Sequence, residues 1–333
     1  MKRFLNLLLI AMLAFLNMNA RVTLGNVQLN NVSEFEITES IAEMSNVAKL
    51  VVPRNFALRN DVALLQQFKV GDRVIIECGY NDVYHTEFVG YVSEIDSDIP
   101  LVIKCDDMYM LRQNSFVLSY PAGTTLRQVL NDIVPSDIIV EADDMIIGKY
   151  IIDNASTFAV LQDLVSNFGL FSRLNNGVLR VGLAYTYGNN TQRHIYKIGG
   201  NVKENNLKFR RAEDVKIRFN AVATNPNGSR TTVSVGAQGQ NVSERTLNFV
   251  GPKSEDELRK QATAALAKVS FDGYQGNIVG FGIPRTRAGD SLTVIDRLEP
   301  DNDYREGTYL IEAVTISYGL GGFSRQNNLS YKI

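Results

Sequence analysis

The residues that could do chemistry are few, and one short run gathers several of them: Gly289-Asp290-Ser291-Leu292. A serine becomes a nucleophile when a base lies within hydrogen-bond reach and a third group orients that base. The chain has two histidines for the task, His85 and His194, and both precede the serine. His194 follows Arg193 in a polar stretch with no partner in view, and His85 sits between Tyr84 and Thr86 in a strand-like run. A packed or solvent-facing ring is the expectation for each.

The same four letters form the serine block of an esterase family, in which the serine comes early and an Asp-x-x-His pair comes late. Here the serine comes late and both histidines precede it. A turn explains the letters as well, because Gly71-Asp72-Arg73-Val74 repeats the pattern where there is no nucleophile. Glycine enters positive φ freely, and aspartate caps its own turn. Other groups point the same way. Asp106-Asp107 and Asp143-Asp144 are acidic pairs without the alternation of a Ca²⁺ loop, and read as solvated turns. Cys78 and Cys105 lie in apolar strand-like runs and read as buried thiols, with a cross-strand disulfide as the alternative in an oxidising compartment. Two cysteines and two histidines make no metal set. Lys203, Lys208, Arg210, Arg211, Lys216 and Arg218 form the strongest basic cluster, but Glu204, Glu213 and Asp214 interrupt it. An exposed strand of alternating charge, or an ion-paired surface between subunits, fits better than a nucleic-acid patch. There is no phosphate loop and no dinucleotide fingerprint. The expectation is no catalytic, cofactor-binding or metal residue, no cofactor, and a structural or binding protein rather than an enzyme.

The elements that hold these residues are mostly strands. Phe68–Ile95 reads as a β-hairpin: Val74, Ile76 and Cys78 alternate with Arg73, Ile75 and Glu77, and Gly79–Asp82 makes the turn. Arg287–Val294 and Gly307–Val314 repeat the plan. Gly71 to Gly90 spans 19 positions and Gly289 to Gly307 spans 18. The pair predicts a duplicated β-unit in which Gly71 matches Gly289 and Gly90 falls near Gly307. Gly25-Asn26 marks another hairpin. Three helices are expected. The first follows Thr124 or Thr125 and carries Leu126, Val129, Leu130 and Ile133. The second follows Ser156, and the third is capped by Ser254.

The 333 residues suit two or three domains, and a net charge of −2 excludes a surface of bulk basicity. Lys2-Arg3 and the apolar run from Phe4 to Leu16 have the shape of a secretory signal, too short for a membrane span. The competing reading starts the protein at Met18, at the head of a first strand.

The order of these pieces resembles that of phage tail baseplate hub proteins, the late control protein D family, related to the hub region of type VI secretion spike proteins. The resemblance is carried by ARVTLGNVQLNNVSEFEI, NVAKLVVPRN, FKVGDRVIIECGY with FVGYVSEIDSDIPLVIKCDD, TFAVLQDLVSNFGLFSRLNNGVLRVG, the run from Ser254 to Pro284, RAGDSLTV, and the C-terminal EGTYLIEAVTISYGLGGFSRQNNLSYKI. It implies a mainly β (α+β) fold: two tail-tube-like β-barrels with a small α/β insertion. The expected parts are an apolar leader at 1–17, a first barrel at 18–118, the insertion at 119–190, and a second barrel at 191–333 with one helix near 254–269. It implies a homotrimer that adapts a six-fold tail tube to a three-fold central spike. The tail tube, spike and baseplate wedge proteins are the expected partners, with neither a small-molecule substrate nor sequence-specific nucleic acid. The setting would be the tail baseplate of a virion or contractile injection system, assembled in the host cytoplasm. Two alternatives stand: an exported β-rich binding protein, periplasmic or secreted with its leader cleaved, and, least favoured, a serine esterase through Gly289-Asp290-Ser291-Leu292.

Overall fold

The computed structural model describes residues 16–29, 32–52, 67–96, 100–168, 170–175, 177–183, 192–224, 229–239, 242–250, 253–296 and 306–333. The leader lies largely outside them. The chain is mainly β and divides into two compact units.

The first unit takes in the residues up to Thr38, Asn46–Met110 and Thr315–Ser324. Its strands are β1 (Met18–Leu24), β2 (Val27–Leu29), β3 (Glu34–Ser40, through Thr38), β4 (Val47–Val52), β5 (Arg73–Tyr80), β6 (Val83–Asp96) and β7 (Leu101–Asp106). They run in the order β3-β4-β7-β6-β5-β1-β2, and β3 is also bonded on its other side to the strand that carries Thr315–Gly319 of this unit. The first and last strands of this run are consecutive in sequence, with four residues between Leu29 and Glu34. That link reaches about 17 Å. Seven flat strands would hold β2 and β3 about 29 Å apart, so the sheet must curl on itself. Alternation supplies the inside: Val22, Leu24, Phe35, Ile37, Leu50, Val74, Ile76, Val92 and Ile103 are fully buried. Each such side chain removed from water contributes about 1.5–3 kcal/mol. The Phe35 and Tyr318 rings stack on this core with centroids 5.1 Å apart.

The second unit takes in Glu39–Ser45, Leu111–Val314 and Arg325–Ile333. It opens with β8 (Ser115–Tyr120), α1 (Leu126–Ile133), β9 (Ile139–Ala142), β10 (Tyr150–Ser156), α2 (Thr157–Phe168), β11 (Leu170–Asn175) and β12 (Val178–Leu183). Thr125 caps α1 in a reciprocal box with Gln128. The next strands are β13 (Arg193–Ile198) and β14 (Val202–Arg210). A smaller piece follows, made of β15 (Ile217–Thr224), β16 (Arg230–Gly236), β17 (Ser243–Val250) and α3 (Glu255–Val269). Ser254 and Glu257 box the start of α3, whose Leu258 and Ala262 bury against Phe219, Ala221 and Val233. The last strands are β18 (Gly273–Phe281), β19 (Ser291–Asp296), β20 (Gly307–Gly319) and β21 (Gly322–Lys332).

In this unit the order is β14-β18-β21-β20-β19-β13. Its end strands are again consecutive, with three residues between Ile198 and Val202. A link of about 14 Å cannot bridge the ~24 Å width of six flat strands, so this sheet curls too. Strand for strand, β14, β18, β21, β20 and β19 follow the plan of β3, β4, β7, β6 and β5. The exception is β1. In the first unit it stands between β5 and β2, antiparallel to both. In the second, β13 lies directly on β19 and parallel to it. The second sheet is the first without its N-terminal strand. It also carries the β15–α3 piece where β3 and β4 are joined by a short link.

Candidate functional site

The Gly-Asp turns come first, because the sequence ties the repeat and the serine motif to them. Gly71 has φ 92° and Gly289 has φ 96°. Gly71 N donates to Val92 O and Gly289 N to Ile311 O, each at 2.8 Å. Asp72 N donates to Lys69 O, and Asp290 N to Arg287 O, each at 3.1 Å. Val92 N donates to Asp72 O at 2.9 Å, and Ile311 N to Asp290 O at 2.8 Å. The aspartates close both turns: Asp72 Oδ2 accepts from Lys69 N at 2.9 Å, and Asp290 Oδ2 from Arg287 N at 3.0 Å. Four matched bonds make one turn built twice. The register corrects one expectation. Val74 faces Gly90 as Leu292 faces Tyr309, so the counterpart of Gly90 is Tyr309, and Gly307 lies two positions off.

The surroundings of the two turns differ. Lys69 and Val70 are exposed, whereas Ala288 and Gly289 are buried. Arg173, on β11, donates through Nη1 to Ala288 O at 2.8 Å, and its Nη2 lies 3.8 Å from Glu39 Oε2. Arg287 Nη1 binds Glu39 Oε1. Glu39 and Arg173 are both buried, so the carboxylate sits between two guanidiniums in a poorly solvated place.

His194 joins this group, contrary to the expectation that it has no partner. Its Nε2 lies 2.8 Å from Asp290 Oδ2. The contact spans 96 positions and depends on the parallel β13–β19 pair, in which His194 faces Leu292 and Arg193 faces Ser291. Successive strand residues point to opposite faces, so the Ser291 hydroxyl and the His194 ring lie on opposite sides of that pair. Ser291 Oγ instead donates to Gln192 O at 3.3 Å, with its residue 6% exposed. A histidine–aspartate pair stands beside the serine, but aimed away from it. Asp82 stands three residues before His85, at the Asp-x-x-His spacing. Asp82 is a turn residue with φ 61° and its N–H donates to Asn19 Oδ1 at 3.1 Å. That pair belongs to the first unit and Ser291 to the second.

The remaining candidates resolve individually. Asp107 is buried and accepts from Asn46 N at 3.0 Å and Asn46 Nδ2 at 2.8 Å, so it is a core tether and not a solvated turn. Asp106 Oδ1 accepts from Met108 N at 2.8 Å. Asp144 is exposed, 3.6 Å from Arg127. The basic cluster divides between two sheets: Lys203, Lys208 and Arg210 on β14, and Arg218 on β15, paired with Glu244 at 3.0 Å. Arg211 pairs with Glu213 at 3.2 Å. Cys78 and Cys105 are buried thiols. Cys78 faces His85 and Cys105 faces Val92 along β6, a seven-residue offset of about 23 Å. That separation forbids a disulfide between them. Burial pushes the Cys105 thiol up to about 12, which leaves it inert at neutral pH.

No family model and no curated protein matches the sequence. Solved structures do. A tail protein from Neisseria meningitidis superposes with a TM-score of 0.64 at 14% identity, covering 94% of this chain and 96% of that one. The 43 kDa tail protein of prophage MuSo2 from Shewanella oneidensis gives 0.61 at 16%, covering 94% and 98%. This chain has the fold of a phage tail protein. An E. coli type VI secretion component, described as similar to the bacteriophage T4 tail proteins gp27 and gp5, gives 0.55 at 9% identity over 94% of this chain and 77% of that one. The tail-protein fold therefore runs nearly end to end, through both curled sheets and the helical parts.

Proposed function

We propose that the chain is the structural hub of a phage tail or contractile injection baseplate. In this reading it is a homotrimer whose six related sheets meet a six-fold tail tube on one side and a three-fold spike on the other. It does no chemistry and works through tube, spike and wedge proteins in the tail of the particle. The parts are a first barrel at 18–118, an insertion at 119–190 and a second barrel at 191–333. One observation carries the reading: a single chain contains the same curled sheet twice, with the same hydrogen-bonded turn. Two copies per chain are what a trimer needs to present six similar surfaces, and closed symmetry with repeated interfaces is the usual way to build such an adaptor.

The exported alternative fares worse on a local point. Cleavage after Ala20 would remove Met18, Asn19 and Ala20, which pair with Tyr80, Gly79 and Cys78. A hub that starts at Met18 keeps them. The decisive measurement is the mass of the purified protein by light scattering, followed by electron microscopy. A trimeric ring with six similar lobes is expected; a monomer that binds neither tube nor spike protein would sink the proposal.

A further inference from the structure

Two strand edges are left unfilled by the repeat, and they are the counterparts of two edges that fill each other. β3 takes β20 along its second edge. The pair is antiparallel: Ile41 N, just past β3, donates to Glu312 O at 2.9 Å, and at the other end a methyl group built on Gly319 would lie 3.3 Å from Glu34 Cγ. β20 reaches β3 because it outruns β19. Their pairing stops at Ser291 and Leu310, with Ile311 N on Asp290 O at 2.8 Å. In the shared plan β14 stands where β3 does, and β6 where β20 does. β14 pairs with β18 and with no other described strand. β13, at the other end of the short link, lies on β19 instead, and the Asn201 side chain takes up Lys197 N at 2.7 Å and Ile195 O at 3.0 Å. No residue of β14 is buried, and Lys203–Asn206 are exposed in succession, so both faces of the strand meet solvent there. β6 outruns β5 as β20 outruns β19. Their pairing stops at Arg73 and Tyr91, with Val92 N on Asp72 O at 2.9 Å. From Glu94 to Asp96, β6 is bonded to β7 alone among the described strands. An unpaired edge is a row of donors and acceptors that pairs readily with another chain.

We propose that the open edge of β14 takes the end of β6 from a second copy of this chain, as β3 takes β20 within one; this rests on the trimeric hub reading. Charge agrees with the pairing. In the same antiparallel sense, the C-terminal end of β14, with Lys208 and Arg210, meets β6 just beyond β5, with Glu94 and Asp96. Lys208 and Arg210 are in no ion pair among the described residues; Lys208 is exposed, and Arg210 Nη1 donates to Gln275 Oε1 at 3.3 Å. Lys104 lies 3.1 Å from Glu94 and 3.3 Å from Asp96. One cation between two carboxylates leaves that end of β6 negative. The contact is head to tail, so three copies close a ring in which each such edge is used once.

The test uses the full chain. Lys208→Glu with Arg210→Glu, and separately Glu94→Lys with Asp96→Lys, set like charges opposite each other, which destabilises a strand pair. Each variant should keep its circular dichroism and weaken trimer formation at least tenfold by light scattering, and the four substitutions together in one chain should restore it. By hydrogen exchange and mass spectrometry, the amides of 204–210 and 93–96 should exchange at least tenfold more slowly in the wild-type trimer than in either charge-reversed variant, with β3 unchanged. Reversed variants that form trimers as well as wild type does would overturn the proposal and leave the hub reading standing. So would a wild-type trimer in which either segment exchanges as fast as in the variants. A wild-type chain that stays monomeric would overturn both.

Discussion

Glu39 ties together the side chains around the second turn. It is buried between Arg173 and Arg287, and a carboxylate there stabilises the fold only while both partners are present. Removing one side of a buried ion pair strands the other in a poorly solvated place, at about 3–5 kcal/mol. Glu39→Ala should therefore lower the free energy of unfolding by about that much in denaturant melts, whereas Ser291→Ala should shift it by less than about 1 kcal/mol. Equal effects would show that the network is not structural. Little of this was legible in the sequence. Glu39, Arg173, His194 and Asp290 are far apart in the chain, and no local pattern marks them. The contact of His194 with Asp290 needs β13 beside β19 in parallel, and that pairing is set by the curl of the whole sheet.

Among the elements, turns and caps were the readable part, because their chemistry is local. Gly71-Asp72, Gly289-Asp290, the Thr125 and Ser254 caps, and the hairpin from β5 to β6 all stand where residue type demands them. The β5–β6 turn is Asn81-Asp82, both at positive φ, a conformation these two residues tolerate better than most. Strand order was not readable, since alternation reveals a strand but not its neighbour. The matched turns give a paired prediction. Gly71→Ala and Gly289→Ala should each destabilise the protein by about 1–2 kcal/mol, because an L-residue is strained at these φ values. Thermal melts of both variants check it. A neutral result at either position would mean that the two turns are not equivalent.

On the scale of the molecule, the resemblance in element order gave the mainly β class and the tail-protein likeness, because order along a chain survives when identity does not. The odd strand β1 and the piece between β14 and β18 were not foreseen as departures from the repeat. That piece has its own core around Phe219 and Leu258. Its ends are held close: Ala212 N donates to Asp272 Oδ1 at 2.8 Å, and Ser270 Oγ to Ala212 O at 3.1 Å. Replacing residues 212–271 by a short link like the one between β3 and β4 should leave the second curled sheet folded, with a cooperative melt and native β circular dichroism. Loss of cooperative unfolding would show that the piece is needed for the sheet.

The extra strand β1 has a consequence for size. Seven described strands against six, about 4.8 Å apart, make runs roughly 29 and 24 Å across. The two modules in the chain thus have different calibres, and no rotation can exchange them. A ring assembled from both would alternate wide and narrow staves, as a barrel does when a cooper mixes two timbers. In the proposed trimer its true period would be three wherever it looks like six.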